Sequence, residues 1–361
     1  MEETPYTCRQ TLKTPAPISC LAKGSSDHFF AGSDDGSVRV YNQETLRVVK
    51  AIRGLGEVSS VVCMSHNAGG LGDIWVASNC HALRFTMDTE KMILAKADAT
   101  LMLELGADDD DMVNELSLNQ KNSQLAFCLD SGTVGVVDLS TKQISRLKTS
   151  HDNICGTVKF IPDRPSELVS GGYDSRLLHH DFHQRTVLSR FDIGTSPLPE
   201  SSGVSMSPPF ILSSAMSPSG ILATGTADGR VWIGTGGEKM SGVSSGTSMK
   251  KKRRKWEGLK QDEGFTADVG HGPITALYGH SSGLAHFSQS TLMGKVTLHE
   301  IGGPTADGKL DIFPKWTKAT INVNKVNAIV ATGGLIIIGG LSEKGGGMIE
   351  VWEKGLKSGD V

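Results

Sequence analysis

A length of 361 residues exceeds one ordinary domain and suits either two smaller domains or one large repeat architecture, so internal repetition is the first thing to seek. Apolar residues make up 38%, enough for a core, but 43 glycines and only 6% aromatic residues break it into short pieces between turns, which favours strands over long helices. With 36 basic against 39 acidic residues the net charge is −3, which excludes a global field drawing the chain onto nucleic acid or membrane and leaves only local contacts of that kind.

The segment Met1-Glu2-Glu3-Thr4-Pro5 lacks the basic start and apolar run of a signal peptide, and Thr7-Cys8-Arg9-Gln10-Thr11-Leu12 follows it as a strand-like stretch. From Ile18 a local sentence begins: an alternating apolar strand, a small-residue strand ending in Gly or Ser, an acidic-glycine turn, and a third strand. Its first instance is Ile18 to Leu21, Phe29 to Ser33, Asp34-Asp35-Gly36, and Val38 to Tyr41. Gly after Asp supplies the positive backbone angle of a tight hairpin, and the alternation turns one strand face to the core.

The pattern returns less cleanly at Val58 to Cys63, Ile74 to Ser78 and Leu83 to Met87, then clearly at Leu116 to Leu118, Leu125 to Phe127, Asp130-Ser131-Gly132 and Val134 to Asp138. A fourth copy runs through His151, Val158 to Phe160, Leu168 to Gly172, the turn Asp174-Ser175, and Leu177 to Asp181. The fifth has Ser214 to Gly220, Leu222 to Gly225, Asp228-Gly229 and Val231 to Ile233; the sixth runs from His271 to Leu298. The seventh, Val326 to Trp352, stops after three strands. The early segment Thr7 to Leu12 is therefore expected to complete the seventh unit, which would hide two open sheet edges and close a ring into one cooperative domain.

These repeats resemble the WD40-repeat family, an all-β class of seven-bladed propellers, and the likeness spans the chain. From about Asn114 onward the wording also resembles one subfamily, through Glu115 to Gln120, Val137-Asp138-Leu139, His151 to Cys155, Val158-Lys159-Phe160, Arg164-Pro165 and Leu168 to Gly171. The resemblance implies a scaffold without catalysis, and a substrate receptor of a cullin-RING ubiquitin ligase docked on a damage-binding adaptor. Receptors of that kind carry a Trp-Asp-x-Arg signature after a third strand. Val137-Asp138-Leu139-Ser140 and His180-Asp181-Phe182-His183 stand there, both without Trp and without Arg at the fourth position. The resemblance further implies a structural tetrad, which His151, Ser170 and Asp174 approach in the fourth blade, with His180 at the Trp position. A buried polar chain of that kind rigidifies its blade.

Several local patterns invite chemistry. Gly242-Val243-Ser244-Ser245-Gly246 matches a nucleophile elbow formally, but that serine needs a strand before it and a helix after it, and here it lies in a Ser/Gly-rich tract. His179, His180, Asp181 and His183 form a dense cluster, yet alternate strand residues point to opposite faces, so about four ligands of a tetrahedral zinc site do not converge. Asp108 to Asp111 reads as a solvated loop, and Gly54-Leu55-Gly56 lacks the third glycine of a dinucleotide fingerprint. The six cysteines contain no C-x-x-C pair and read as buried, reduced thiols. No metal and no cofactor are expected.

Two insertions stand out: residues 195–209, Ser/Pro-rich and expected to be disordered, and residues 237–256, Ser/Gly-rich and basic, expected between the fifth and sixth blades. The second ends in Lys250, Lys251, Lys252, Arg253, Arg254 and Lys255, an exposed run suited to the acidic groove of a nuclear import receptor or to phosphates. Loops on a rigid ring carry function in such a fold, so Arg39, Arg164 and Arg176 are candidate contacts to partner proteins. The expected function is a non-enzymatic, monomeric interaction scaffold of nucleus and cytoplasm, soluble and without a membrane segment. The alternative is a nucleic-acid-associated assembly factor, of ribosome or chromatin, that uses the 250–255 run.

Overall fold

The computed structural model describes residues 6–24, 27–64, 70–195, 207–234, 256–260, 264–269, 272–279, 286–302, 312–332 and 334–355. Seven sheets, antiparallel throughout their four blade strands, follow one another around a central channel. Blade one comprises Ile18–Lys23, His28–Ser33, Val38–Asn42 and Val48–Arg53, and blade two Val58–Cys63, Asp73–Ser78, His81–Thr86 and Leu101–Glu104. Blade three is Val113–Leu118, Gln124–Leu129, Val134–Asp138 and Ile144–Arg146; blade four is Cys155–Phe160, Glu167–Gly172, Arg176–Asp181 and Thr186–Asp192. Blade five holds Ile211–Met216, Leu222–Thr226, Arg230–Gly234 and Gly264–Asp268, and blade six Ile274–Gly279, His286–Thr291, Lys295–Ile301 and Ile312–Ala319. Blade seven has Lys325–Thr332, Leu335–Leu341 and Gly347–Lys354, completed by Tyr6–Thr14, which pairs antiparallel with Gly347–Lys354. The all-β, seven-bladed architecture and its closure by the early strand are those the sequence predicts.

The core is divided among the joints between blades. Each of seven apolar clusters joins two neighbouring sheets, as where Phe30, Val38 and Ile52 of blade one meet Val61, Ile74 and Phe85 of blade two. Close approach at these joints requires a small residue at one fixed place in each second strand. A side chain at Gly32, Gly171, Gly225 or Gly339 would come within 2.6 Å of Val58, Ile211, Ile274 or Ile18, the leading apolar residue of the following blade. Blades two, three and six put Ala77, Cys128 and Ser290 there.

A second repeated device closes the ring at the channel. Every innermost strand is bulged after its leading apolar residue. The bulge frees one side chain to reach sideways. Ser19 and Ser59 donate to the carbonyls of Val58 and Val113, Asn114 to Cys155 at 3.1 Å, Thr275 to Val326 at 2.7 Å, and Asn327 to Ile18 at 2.9 Å. Blade five uses the next residue, Ser213, to reach Ile274 at 2.9 Å. Blade four has Gly156 at its bulge, and there Thr157 bonds Ser214 of blade five at 2.5 Å instead.

Two features depart from the expected plan. Ile93–Ala95 adds a fifth strand to blade one, parallel to Val48–Arg53, so the connection after the third strand of blade two first crosses back over its neighbour. Buried Lys50 ties this strap down, its ammonium donating to the carbonyls of Met87 at 2.8 Å and Thr89 at 2.6 Å. The basic insertion, expected between blades five and six, instead joins two strands of one sheet, because Arg230–Gly234 pairs directly with Gly264–Asp268.

Candidate interaction surface

The innermost strands all run in the same sense through the ring, so the propeller has an entry face, where they begin, and an exit face, where they end. The channel between encloses about 540 Å³ and is walled mostly by the bulge residues and their neighbours. Its principal charged constellation is Glu115 with Lys159. Glu115 accepts hydrogen bonds from the Thr157 hydroxyl at 2.7 Å and the Val158 N–H at 2.8 Å, and pairs with the Lys159 ammonium. Through Thr157 and Ser214 the chain of bonds spans blades three, four and five. These groups clasp blades together. The Cys20 and Cys63 thiols in the same wall are pushed by burial up to about 12, far from a reactive thiolate. Cys80, Cys128 and Cys155 are buried, whereas Cys8, Cys20 and Cys63 keep partial exposure, which corrects the expectation of six buried thiols.

The exit mouth opens into a cavity of about 570 Å³ formed by blades three to six. Leu118, Phe160, Met216, Leu277 and Tyr278 give it apolar walls, while Lys121, Lys159 and Arg164 bring positive charge and Asp163 the opposing one. Of the three candidate arginines only Arg164 lies here. Lys121 occupies the corresponding turn of blade three, between its first and second strands, so comparing the turns of successive repeats would have found it.

Arg39 and Arg176 stand on the entry face, in blades one and four. Arg39 is turned inward, 12% exposed, toward Ser33 at 3.2 Å and Asp35 at 3.4 Å, so it stiffens its own hairpin. Arg176 is 43% exposed and paired with Asp152 at 2.5 Å. His151 bonds Asp174 through Nδ1 at 2.9 Å and Ser170 through Nε2 at 2.9 Å, and Ser170 continues to His180 at 3.0 Å. Burial pushes the His151 pKa down, but the hydrogen bonds and charges of Asp174 and Cys155 together outweigh it and the net position is about 9. Burial, with the charge of His151 beside it, holds His180 at about 3. Both shifts agree with one direction of donation: charged His151 gives protons to Asp174 and Ser170, and the Ser170 hydroxyl gives its own to neutral His180.

The other sequence patterns fall into structural roles. His179 turns to the opposite side of its strand from His180, toward Glu167 at 2.9 Å, and among the described residues no group of three His, Cys, Asp or Glu side chains is arranged to hold a metal ion. Asp111 is buried and accepts from the N–H of Ser131 at 2.8 Å and of Ala107 at 3.1 Å, while Asp108 to Asp110 are exposed. Asp138 and Asp181 cap the turns after their strands. Asp138 accepts from Ser140, Thr141 and Gln124, which hold its carboxyl well below the ordinary range, and Asp181 accepts from the Gln184 N–H at 2.9 Å. Arg185, four residues after Asp181, takes the left-handed position of that turn, as Lys142 does after Asp138.

Lys250 to Lys255, residues 242–246 and most of both insertions lie outside the described residues. Trp256, the last residue of the basic insertion, does not share the exposure expected for that run. It is 7% exposed and packs with Ile161, Trp232 and Leu259 between blades four and five. Its indole N–H donates to Gly220 at 2.9 Å, and its ring stands edge-on to His179.

Residues 6–42 match the family model described as WD domain, G-beta repeat. One WD40 repeat is thus matched on a seven-bladed propeller. The matched span joins the outermost strand of blade seven to the first three of blade one, so the WD40 sequence unit is offset by one strand from the structural blade. A WD repeat-containing protein 53 homolog of Dictyostelium discoideum is 25% identical over 187 residues, which cover 51% of this chain and 48% of that protein. The match thus spans about half the length of the curated relative, and its name agrees with the subfamily that the segments from Asn114 onward resemble. WD40 propellers are in general non-catalytic scaffolds for protein interaction. Among the described residues no helix is long and apolar enough to cross a membrane.

Proposed function

We propose that this chain is a non-catalytic protein-interaction scaffold of the nucleus and cytoplasm, folding as one cooperative, monomeric domain and binding partners at the mouths of its channel. The observation that carries this reading is how the channel uses its polar groups: Ser19, Ser59, Asn114, Glu115, Thr275 and Asn327 hold neighbouring blades together, and free chemistry is left to the turns. In its finer form the scaffold is a substrate receptor of a cullin-RING ligase, a role supported by the subfamily likeness. Adaptor docking through the Asp138 and Asp181 turns would use turn surfaces, since both carboxylates are committed internally. Affinity purification of the intact chain at endogenous expression tests both levels. Recovery of a ligase adaptor with its cullin supports the receptor, its absence sinks the receptor, and absence of any stoichiometric partner sinks the scaffold.

A second reading is a nucleic-acid-associated assembly factor working through Lys250 to Lys255. What favours it is Trp256: the run ends one residue before an anchor seated on the folded ring, so a partner holding the run is held close to the propeller. Changing residues 250–255 to alanine should abolish ribosomal or chromatin partners, weaken salt-dependent nucleic-acid binding and alter nuclear accumulation. Unchanged partners and localisation would discard this reading.

A further inference from the structure

We propose that the exit-mouth cavity is the binding site for an acidic peptide segment of a partner protein, an apolar side chain of the segment entering the recess and its carboxylates meeting Lys121 and Arg164. The proposal rests on the scaffold reading and specifies which mouth receives the partner and by what chemistry.

The recess has the build of a ligand site. Its volume of about 570 Å³ falls within the roughly 300–1,000 Å³ usual for pockets that enclose a small ligand. Leu118, Phe160, Met216, Leu277 and Tyr278 are each only partly buried, so apolar surface remains for an occupant. The walls are stiff. They are the ends of innermost strands, Phe160 is braced edge-on against Phe182 at 5.9 Å, and Pro162, Pro165 and Pro218 fix backbone angles at the rim.

Charge selects the class of ligand. Lys121, Lys159 and Arg164 line the recess against Asp163 alone, and Glu115 neutralises Lys159 from the channel side. Among the described residues the Lys121 and Arg164 side chains have no ion-pair or hydrogen-bond partner, unlike Arg39, Arg84, Arg146, Arg176 and Arg230, each of which holds a carboxylate or carbonyl. Two uncommitted cations flanking an apolar recess repel a basic segment and leave the charges of an acidic one paired. A planar guanidinium at Arg164 suits a carboxylate bidentately. A nucleic acid strand would want a track of cations with exposed aromatic faces along it, whereas these cations flank a single recess.

The test uses the full-length chain as bait for phage-displayed random dodecapeptides. Selected sequences should place Asp or Glu on both sides of Leu, Ile, Phe or Met. A synthetic peptide of the leading sequence should bind the wild-type chain and lose about tenfold or more in affinity with Lys121→Glu and Arg164→Glu. Lys142→Glu with Arg185→Glu, on other turns of the same face, should leave binding unchanged, and thermal melting of each variant verifies the fold. Selection of no consensus, selection of basic or uncharged sequences, or binding indifferent to Lys121 and Arg164 overturns the proposal. So does oligothymidylate if it displaces the peptide and binds more tightly through the same two residues. Cellular partners retained by the Lys121→Glu, Arg164→Glu chain would leave the scaffold standing while removing its exit mouth from the account.

Discussion

The indole N–H of Trp256 donates to the carbonyl oxygen of Gly220 at 2.9 Å, across 36 residues of chain. The ring also fills the joint between blades four and five, where Gly258 allows it to lie flat against the backbone. Trp256→Ala should therefore cost about 3–5 kcal/mol, by lost burial and the cavity left behind. Trp256→Phe, which keeps most of the packing, should cost about 1 kcal/mol for the missing bond. Urea denaturation measures both, and equal midpoints for Trp256→Ala and wild type would contradict the anchor.

Stability should depend on pH through blade four. A folded pKa of about 9 for His151 lies above the ~6.5 of an unfolded histidine, so its contribution is full below about pH 6.5 and is lost as pH rises through 9. His180 and His299, held at about 3 and about 4, act in the opposite sense: their contribution is present above about pH 6.5 and is lost as pH falls and the unfolded chain takes up protons. Cys155, whose thiol Cys128 and His151 hold at about 6, below its ordinary value, has a contribution that grows over the window in which that of His151 is lost. It offsets the His151 limb, so the acid limb should dominate the unfolding free energy. His180→Gln should flatten part of the acid limb. Gly172→Ala should break the His151–Asp174 pair and lower the unfolding free energy, since the added methyl would sit 2.5 Å from His151 Nδ1 and 2.7 Å from Asp174 Oδ1.

Glu350 should be among the most sensitive polar positions. Wholly buried in the third strand of blade seven, it accepts from the N–H groups of Ile321 at 2.8 Å, Asn322 at 2.5 Å and Val323 at 3.2 Å, and from the Trp352 indole at 3.0 Å. Glu350→Ala leaves those donors without their acceptor and should cost at least about 3 kcal/mol. Glu350→Gln keeps one acceptor oxygen and should fall between. Hydrogen exchange should show the 320–324 loop losing protection first in both variants, and uniform loss across the ring would argue against a local role.

Deleting residues 6–14 should be more damaging than their number suggests. The deletion exposes the Gly347–Lys354 edge and removes Tyr6, whose ring packs on Trp316 at 5.4 Å in the joint between blades six and seven. The expected outcome is concentration-dependent self-association, read by light scattering. A monomeric, cooperatively melting product would show that the ring stands without its closing strand.

What was legible in the sequence was whatever repeats under a local physical constraint. The left-handed backbone at Gly36, Gly132 and Gly229 announces the hairpins after Asp35, Ser131 and Asp228, and the alternation of the inner strands announces their burial. Outermost strands announce themselves poorly, because solvent takes one face and neither composition nor alternation is constrained; Thr186–Asp192 and Leu101–Glu104 are examples. That blindness moved the basic insertion to the wrong side of Gly264–Asp268. Lys50 looks like any exposed strand lysine until the strap that receives its ammonium is known. The exit-mouth recess was only partly legible: Arg164 follows from its turn, but the junction of Leu118, Met216 and Tyr278 exists only once four blades are side by side.

The shared sheet of blade seven sets a schedule for synthesis. Tyr6–Thr14 leaves the ribosome long before Gly347–Lys354 exists, and at about 5–20 residues per second it waits on the order of 20–70 s for its partner. Through that interval blade one lacks its neighbour on the blade-seven side, and Ile18 cannot yet fill the space that Gly339 leaves for it. A nascent chain of this design has to be kept from pairing that early strand elsewhere, so its yield in a cell should follow the supply of chaperones that shield exposed strands during elongation.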